Sequence, residues 1–367
     1  MVKTTGIIFS NIYDYAMGEL TKKRASASLP IGGRYRLIDF MLSNMVNSGI
    51  VSVGVLTKYN YRSLLDHLGS GSEWDLNRIN GGLFILPPFT SGDRSEPRGK
   101  FETMYNAIPF LNRVKTDYVI LCDACVICKI DFDKVLEEHI ASGADITVIA
   151  NRESSQFKMD ENDVCFEFSD GNLKDIFIGH RPSVDNPVSM GICVIERERL
   201  VREVESYVSK GRYSFEKDYI QPEFVNGNLK VGVYEFNGTV LRNRDIQSYF
   251  KNNLKLMEDE IRREFFSLNQ PVYTKVRYEV PTVYGEECVV NDCFIADGCK
   301  ISGEAENSVL FRDVVLEKGA KVKNCVVMQG AKIFAGADIE NAIIEKNTVV
   351  NANEKYKGGI NSPVIVR

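Results

Sequence analysis

Leu310-Phe-Arg-Asp-Val-Val-Leu316-Glu-Lys-Gly-Ala-Lys-Val322 sets an aliphatic side chain at every sixth residue. Neither an amphipathic helix nor an ordinary strand has that period. A parallel β-helix of hexapeptide repeats does, because each short strand sends one aliphatic group into a triangular core. The phase extends both ways. Val283, Val289, Ile295 and Ile301 precede the stretch and Met328 continues it; Val327, Ile333 and Ile339, then Ile344 and Val350, keep the same step. Gly298, Gly319, Gly330 and Gly336 fall between, where the chain must turn. These positions predict a left-handed parallel β-helix over residues 281–367, with faces and ends suited to subunit contacts.

Upstream the pattern changes. Apolar runs at 5–10, 50–57, 118–122, 144–150 and 190–195 read as buried strands. Helical patterns lie between them at 38–47, 61–68, 103–113 and 132–142. Strands alternating with helices predict a doubly wound, mostly parallel sheet over residues 1–245. Ligands of such sheets bind beyond the carboxyl ends of the strands, so the residues after Phe9, Leu56 and Leu121 are where chemistry belongs. A charged amphipathic helix at 245–266 opens a connection, 246–280, that reads as a hinge.

Composition narrows the function classes. A net charge of −5 and a pI near 5.5 argue against a broad nucleic-acid surface, while leaving room for a local phosphate pocket. No apolar run approaches the length that spans a bilayer, and the N-terminal run reads as a strand, not a signal peptide. The nine cysteines are scattered as in a reduced, cytoplasmic protein. Cys122, Cys125 and Cys128 have a spacing that can hold an iron–sulfur cluster, but they follow a buried-strand pattern without the usual continuation and read better as small core residues. A hexapeptide acyltransferase commonly has a histidine base in its β-helix; all three histidines here, His67, His139 and His180, precede that region.

Leu20-Thr-Lys-Lys-Arg-Ala25, Leu29-Pro-Ile-Gly-Gly-Arg-Tyr-Arg-Leu-Ile-Asp-Phe40 and Asn47-Ser-Gly-Ile50 are more specific than any of this. They resemble the N-terminal block of bacterial ADP-glucose pyrophosphorylase, glucose-1-phosphate adenylyltransferase. The likeness runs on through Gly54-Val-Leu-Thr57, Ser189-Met-Gly191, Lys217-Asp218 and Ser248-Tyr249 into the β-helix. The resemblance implies a nucleotide-diphospho-sugar transferase-like sheet. It also implies a metal-dependent in-line displacement joining glucose-1-phosphate to the α-phosphorus of ATP.

The parts that such chemistry needs are altered. The glycine-rich phosphate loop is replaced by Phe9-Ser-Asn-Ile-Tyr-Asp-Tyr-Ala-Met-Gly18, and the adenine loop by Leu86-Pro-Pro-Phe-Thr90, where Phe89 stands in for a glutamine. In the next motif, Gly99 to Tyr105, Glu102 replaces an aspartate. Cys125 aligns with the first metal aspartate, with Asp123 two residues early as an alternative. Asn243 takes the place of the second, near Asp245. On the sugar-phosphate side the resemblance keeps Arg181 in place of a lysine, Ser189, and Phe215 with Lys217 and Asp218, while Ser214 replaces an aspartate. Asp123 and Asn243 are therefore vestigial candidates, and the resemblance is to the family's non-catalytic, GlgD-type subunit. It implies a heterotetramer with a catalytic partner that alone would carry Mg2+, a homo-oligomer when alone, and a role in tuning that partner. Lys23, Arg24 and Arg36 match positions that contact an anionic sugar-phosphate effector in the catalytic family; the alternative for these cations is ordinary surface pairing. The competing reading is an active adenylyltransferase with degenerate ATP and metal motifs.

Overall fold

The computed structural model describes residues 3–88, 98–153 and 157–367. Its N-terminal sheet has nine strands: β1 (Thr4–Phe9), β2 (Ser52–Leu56), β3 (Gly82–Leu86), β4 (Tyr118–Asp123), β5 (Ile146–Asn151), β6 (Val164–Ser169), β7 (Asn172–Ile178), β8 (Val188–Glu196) and β9 (Val231–Glu235). β3, β2, β1 and β4 lie side by side and parallel. β8 follows, antiparallel to β4 and to β5, and β9 closes that edge parallel to β5. Side chains alternate across the sheet. Ile7, Phe9, Val119 and Leu121 pack under Phe101, Phe110 and Tyr207 on one face. Ile8, Val53, Val55 and Ile120 pack against Met41, Leu42 and Phe132 on the other.

Several elements differ from the sequence expectation. The strand expected at 190–195 runs from Val188 to Glu196 and is antiparallel, because the chain reaches it from the β6–β7 hairpin without a crossover helix. Asp170 and Gly171 turn that hairpin with φ of 52° and 78°, the Asp-Gly signature of a tight primed turn. The helix expected over 103–113 is two short helices, Lys100–Tyr105 and Ile108–Arg113. The one expected over 245–266 is also two, Ile246–Lys255 and Asp259–Phe265, the first N-capped by Asp245, whose Oδ1 accepts from the Ser248 amide at 2.7 Å.

The C-terminal region is the expected left-handed parallel β-helix. Lys321 pairs with Asp338 and Asp338 with Lys355, so each of these coils takes 17 residues; the first is shorter, pairing Val289 with Glu304 across 15. A 17-residue coil cannot keep a strict step of six. Leu310, Leu316, Val322, Val327, Ile333, Ile339, Ile344 and Val350 fill the axial core, in steps of six, six and five. Met328 is consequently one residue out of phase and points outward, toward the N-terminal domain. In the first coil Val283 and Val289 align with the outward Lys300 and Glu304, so Tyr284 and Val290 face the axis in their place, while Ile295 faces it as expected. Asn307, Asn324 and Asn341 stack at one corner in the left-handed region, each donating from Nδ2, at 2.7, 3.2 and 3.1 Å, to Asn324 Oδ1, Asn341 Oδ1 and the Gly358 carbonyl. Asparagine tolerates that conformation and its amide satisfies the next coil.

The connection between the two regions is packed, not loose. Leu29, Ile31 and Phe40 share one buried apolar cluster with Tyr249, Phe250 and Phe265 of the connecting helices and with Val309, Phe311, Val326, Met328 and Ile343 of the β-helix. The cysteine run is divided between cores: Cys122 and Cys128 lie in the sheet core, Cys125 in this joint, and all three are free thiols. Their side chains do not converge on a common centre.

Candidate functional site

Two places carry convergent polar groups. The first is the crevice at the carboxyl ends of β1 and β4. Asp123 ends β4 in register with Phe9 and is buried. The loop after β1 is held by side chains where glycine amides would be needed to cradle a phosphate. Asn11 Oδ1 accepts from Ser10 Oγ at 2.5 Å and from the Lys58 amide at 3.0 Å. Asp14 Oδ1 accepts from the Ser26 amide at 2.8 Å, and Thr21 Oγ1 donates to the Asp14 carbonyl at 2.6 Å. This anchoring turns Tyr13 inward, where burial and the nearby Asp123 charge raise its phenol, and leaves Tyr15 fully exposed. Phe89 lies outside the described residues.

The space beside Asp123 is small. A cavity of about 30 Å³ is lined by Phe9, Lys100, Ser189, Gly191, Phe215 and Glu216. Lys100 Nζ closes it against Glu216 Oε1 at 2.6 Å. Gly191 is required here: its φ is +71°, and a Cβ would sit 2.5 Å from Asp123 Oδ2. Burial pushes the Asp123 carboxyl up to about 6, against the opposing pull of Lys100, Arg242 and Tyr13. Arg242 is fixed by Glu153 Oε1 at 2.5 Å, the Ser189 carbonyl at 2.6 Å and Asn151 Oδ1 at 2.6 Å.

These residues do not fit a divalent cation. Asn243 is fully buried; its Nδ2 donates to the Cys125 carbonyl at 3.1 Å and its Oδ1 accepts from Asn252 at 3.2 Å, so neither atom faces Asp123. Cys125 points into the apolar joint, where burial raises its thiol well above the ordinary range. Asp245 serves as a helix cap. Asp123 has one ammonium neighbour, Lys100, and one guanidinium neighbour, Arg242, in the place where a metal's charge would act, and among the described residues oxygen-seeking Mg2+ finds no second free carboxylate there. Among the described residues no group of three His, Cys, Asp or Glu is arranged to hold a metal.

The second place is a pocket of about 210 Å³ between the sheet domain, the connection and the β-helix. Lys23, Arg24, Arg34 and Arg36 line it from the N-terminal segment, Lys275 and Arg277 from the connection, and Arg312 and Lys346 from the β-helix. Arg36 is held by the Ser28 carbonyl at 2.7 Å and Ser63 Oγ at 2.8 Å. Below it, buried Asp39 accepts the Arg36 amide at 2.9 Å and meets His67 Nε2 at 2.6 Å, which fixes the start of the 37–47 helix under the pocket floor. Burial lowers Arg36 to about 10, and Arg24 and Arg277 push it the same way against Asp39. Burial also lowers Lys346 and Arg312. Arg36, Arg277 and Arg24 add to the first shift, and Arg34 and Arg277 to the second. Arg312 is 8% exposed, and its buried Nε has no hydrogen-bond partner among the described residues. An unsatisfied buried donor costs about 1–3 kcal/mol, and mutual repulsion adds to it. An anion would relieve both.

Comparison with known proteins fits this two-part architecture. Residues 17–159 match the nucleotidyl transferase family, and residues 280–360 the GlmU-like C-terminal hexapeptide family. Over 362 residues the chain is 31% identical to the glycogen biosynthesis protein GlgD of Bacillus subtilis, covering 99% of this chain and 95% of that protein. It is 36% identical over 326 residues to GlgD of Geobacillus stearothermophilus, covering 87% and 83%. To a glucose-1-phosphate adenylyltransferase of Bacillus mycoides it is 32% identical over 343 residues, covering 91% and 89%. The chain belongs to the glucose-1-phosphate adenylyltransferase family, and within it is similar to GlgD proteins.

Against that adenylyltransferase pattern, the sugar-phosphate positions separate. Ser189 and Phe215 line the small cavity, with Ser189 Oγ accepting from the Gly191 amide at 3.1 Å. Arg181 is elsewhere: its guanidinium donates to the carbonyls of Asn186 at 3.0 Å and Glu153 at 2.9 Å, and to that of Val184. Lys23, Arg24 and Arg36 do come together. Arg34, Lys275, Arg277, Arg312 and Lys346 were not singled out in the adenylyltransferase comparison of motifs, because the fold gathers them from three segments. Lys100 and Glu216 were missed as well. Lys100 is itself one of the altered residues of the Gly99–Tyr105 motif, which is the available signal.

Proposed function

We propose that the chain acts in bacterial glycogen synthesis as a regulatory subunit of glucose-1-phosphate adenylyltransferase. It has no turnover of its own, works in the cytoplasm beside a catalytic partner in a mixed tetramer, and answers to an anionic sugar phosphate bound in the eight-cation pocket. One contrast carries the reading. The crevice that should take nucleotide and metal is filled by its own loop and by the Lys100–Glu216 pair, while the effector-side pocket is open and holds an unpartnered donor at Arg312. Filling the phosphate loop and losing both metal ligands each remove charge stabilisation worth orders of magnitude in rate. The first β-helix coil supports the partner role: Val283, Tyr284 and Val289, with Tyr278 and Val280 just before them, are exposed at an end of the solenoid where no further coil follows.

The test is direct. Purified chain is assayed for ADP-glucose formation alone and after mixing with a catalytic subunit, with and without a hexose bisphosphate. The expected result is no product alone and a higher rate, or a changed effector response, in the mixture. Magnesium-dependent product from the chain alone would overturn the reading, and so would a partner whose kinetics do not change.

A further inference from the structure

Glu345 stands at the edge of the cation pocket, in the turn after the strand Asp338–Ile344. Its Oε2 lies 2.6 Å from Arg24 Nη2, and the two side chains are only 14% and 13% exposed. Its other oxygen, Oε1, is buried and has no hydrogen-bond partner among the described residues. Arg24 reaches from the sheet domain and Glu345 from the β-helix. The contact is therefore a tertiary one, beside Lys346, whose ammonium feels Arg36, Arg277 and Arg24. A half-satisfied carboxylate facing one arginine of a strongly cationic pocket is an anion already in place.

We infer that Glu345 determines the specificity of this pocket, as an internal carboxylate that a ligand must displace from Arg24 in order to bind fully. The inference rests on the reading of the pocket as an anion site. A ligand carboxylate offers Arg24 what Glu345 already offers, a single charge and two acceptor oxygens, and gains little. A phosphoryl group carries about −1.5 to −2 charges and three acceptor oxygens. It can replace Glu345 on Arg24 and reach Arg36 or Lys346 with the remaining oxygens. The pocket thus selects phosphate esters over carboxylates. No bond is made or broken covalently. Displacement need not part the domains, because the apolar joint of Val309, Val326 and Ile343 against Phe40 and Phe265 is independent of the pair.

Calorimetric titration of the full chain at fixed low salt tests this, with inorganic pyrophosphate and malonate as probes of similar span. The wild type should bind pyrophosphate and prefer it clearly over malonate. Glu345→Gln should tighten malonate by about tenfold and pyrophosphate by less, so that the preference narrows. Removing one partner of a largely buried pair can unfold a protein. Glu345→Asp therefore serves as a second variant, keeping the charge but drawing it back by one methylene; it should narrow the preference to a smaller degree. Binding by the wild type with a preference unchanged in the folded variants overturns the role of Glu345 alone. No binding of either probe by any form overturns the anion site and this inference with it. Binding that appears only in Glu345→Gln supports both.

Discussion

Replacing Asp123 by asparagine is expected to stabilise the protein at neutral pH and to do so far less at pH 4. The Asp123 carboxyl is buried beside Gly191 and Tyr13, and burial raises it from an ordinary value of 3.8 to about 6. A carboxyl raised on folding keeps a proton that the unfolded chain has already released. Between those two values the folded state holds more protons, so stability falls as the pH rises through that window. Below it both states are protonated and no penalty exists; above it the penalty is complete. At about 1.4 kcal/mol per pH unit, the gap between 3.8 and about 6 corresponds to roughly 3 kcal/mol. Asparagine has nearly the same shape and cannot ionise. The assay is urea unfolding of both proteins from pH 4 to pH 8. The wild-type minus variant difference should move by about 3 kcal/mol across the window, whatever its constant offset. A difference that does not change with pH, or that grows in favour of the wild type, would refute the reasoning. In a working metal site the same substitution would remove a ligand; here it removes a strained charge.

Other perturbations address the remaining parts. Arg277→Gln, at the centre of the cation pocket, should weaken pyrophosphate binding about tenfold or more and flatten its dependence on salt, read by calorimetry at several ionic strengths. Ile339→Ala opens a cavity in the axial core and should cost about 2–5 kcal/mol in chemical denaturation, whereas Lys332→Ala on the same solenoid should cost under about 0.5 kcal/mol. Asn324→Ala loses two ladder hydrogen bonds and strains a residue at φ 50°, so its melting temperature should fall further than that of Asn324→Gly. Near-equal melting temperatures for those two variants would mean that the backbone conformation is not what the asparagine supplies.

Much of this was legible in the sequence. The six-residue step in Leu310, Leu316 and Val322 is a direct imprint of the coil, because an inward side chain has no alternative in so narrow a core. The short side of each coil was not legible, since Val327 and Met328 are both apolar and only the three-dimensional register separates them. The altered crevice was readable at Phe9 to Gly18, where glycine is missing. How it is filled was not, because Tyr13 and Tyr15 are two residues apart and only the Asn11 and Asp14 anchors decide which turns inward. Arg181 illustrates the opposite hazard. It stands at a motif position, but three backbone carbonyls claim its guanidinium. The cation pocket lay half hidden for a simple reason. Lys23, Arg24 and Arg36 lie in one N-terminal stretch of motif residues, whereas Arg277, Arg312 and Lys346 meet them only after the solenoid docks.

The 17-residue coil has a consequence for how this chain can change length. Removing or adding one or two residues within a strand would rotate every later aliphatic group off the axis and bring lysines and glutamates inward, whereas the two-residue difference between the 15- and 17-residue coils is absorbed at a corner. A cut of 17 residues leaves the register of Glu304, Lys321, Asp338 and Lys355 intact and simply shortens the column by one storey. Length variation among such solenoids should therefore be quantised in whole coils, with smaller insertions confined to corners that already bulge outward. The storeys that hold Phe311, Met328 and Ile343 are the exception, since they also form the wall on which the sheet domain rests.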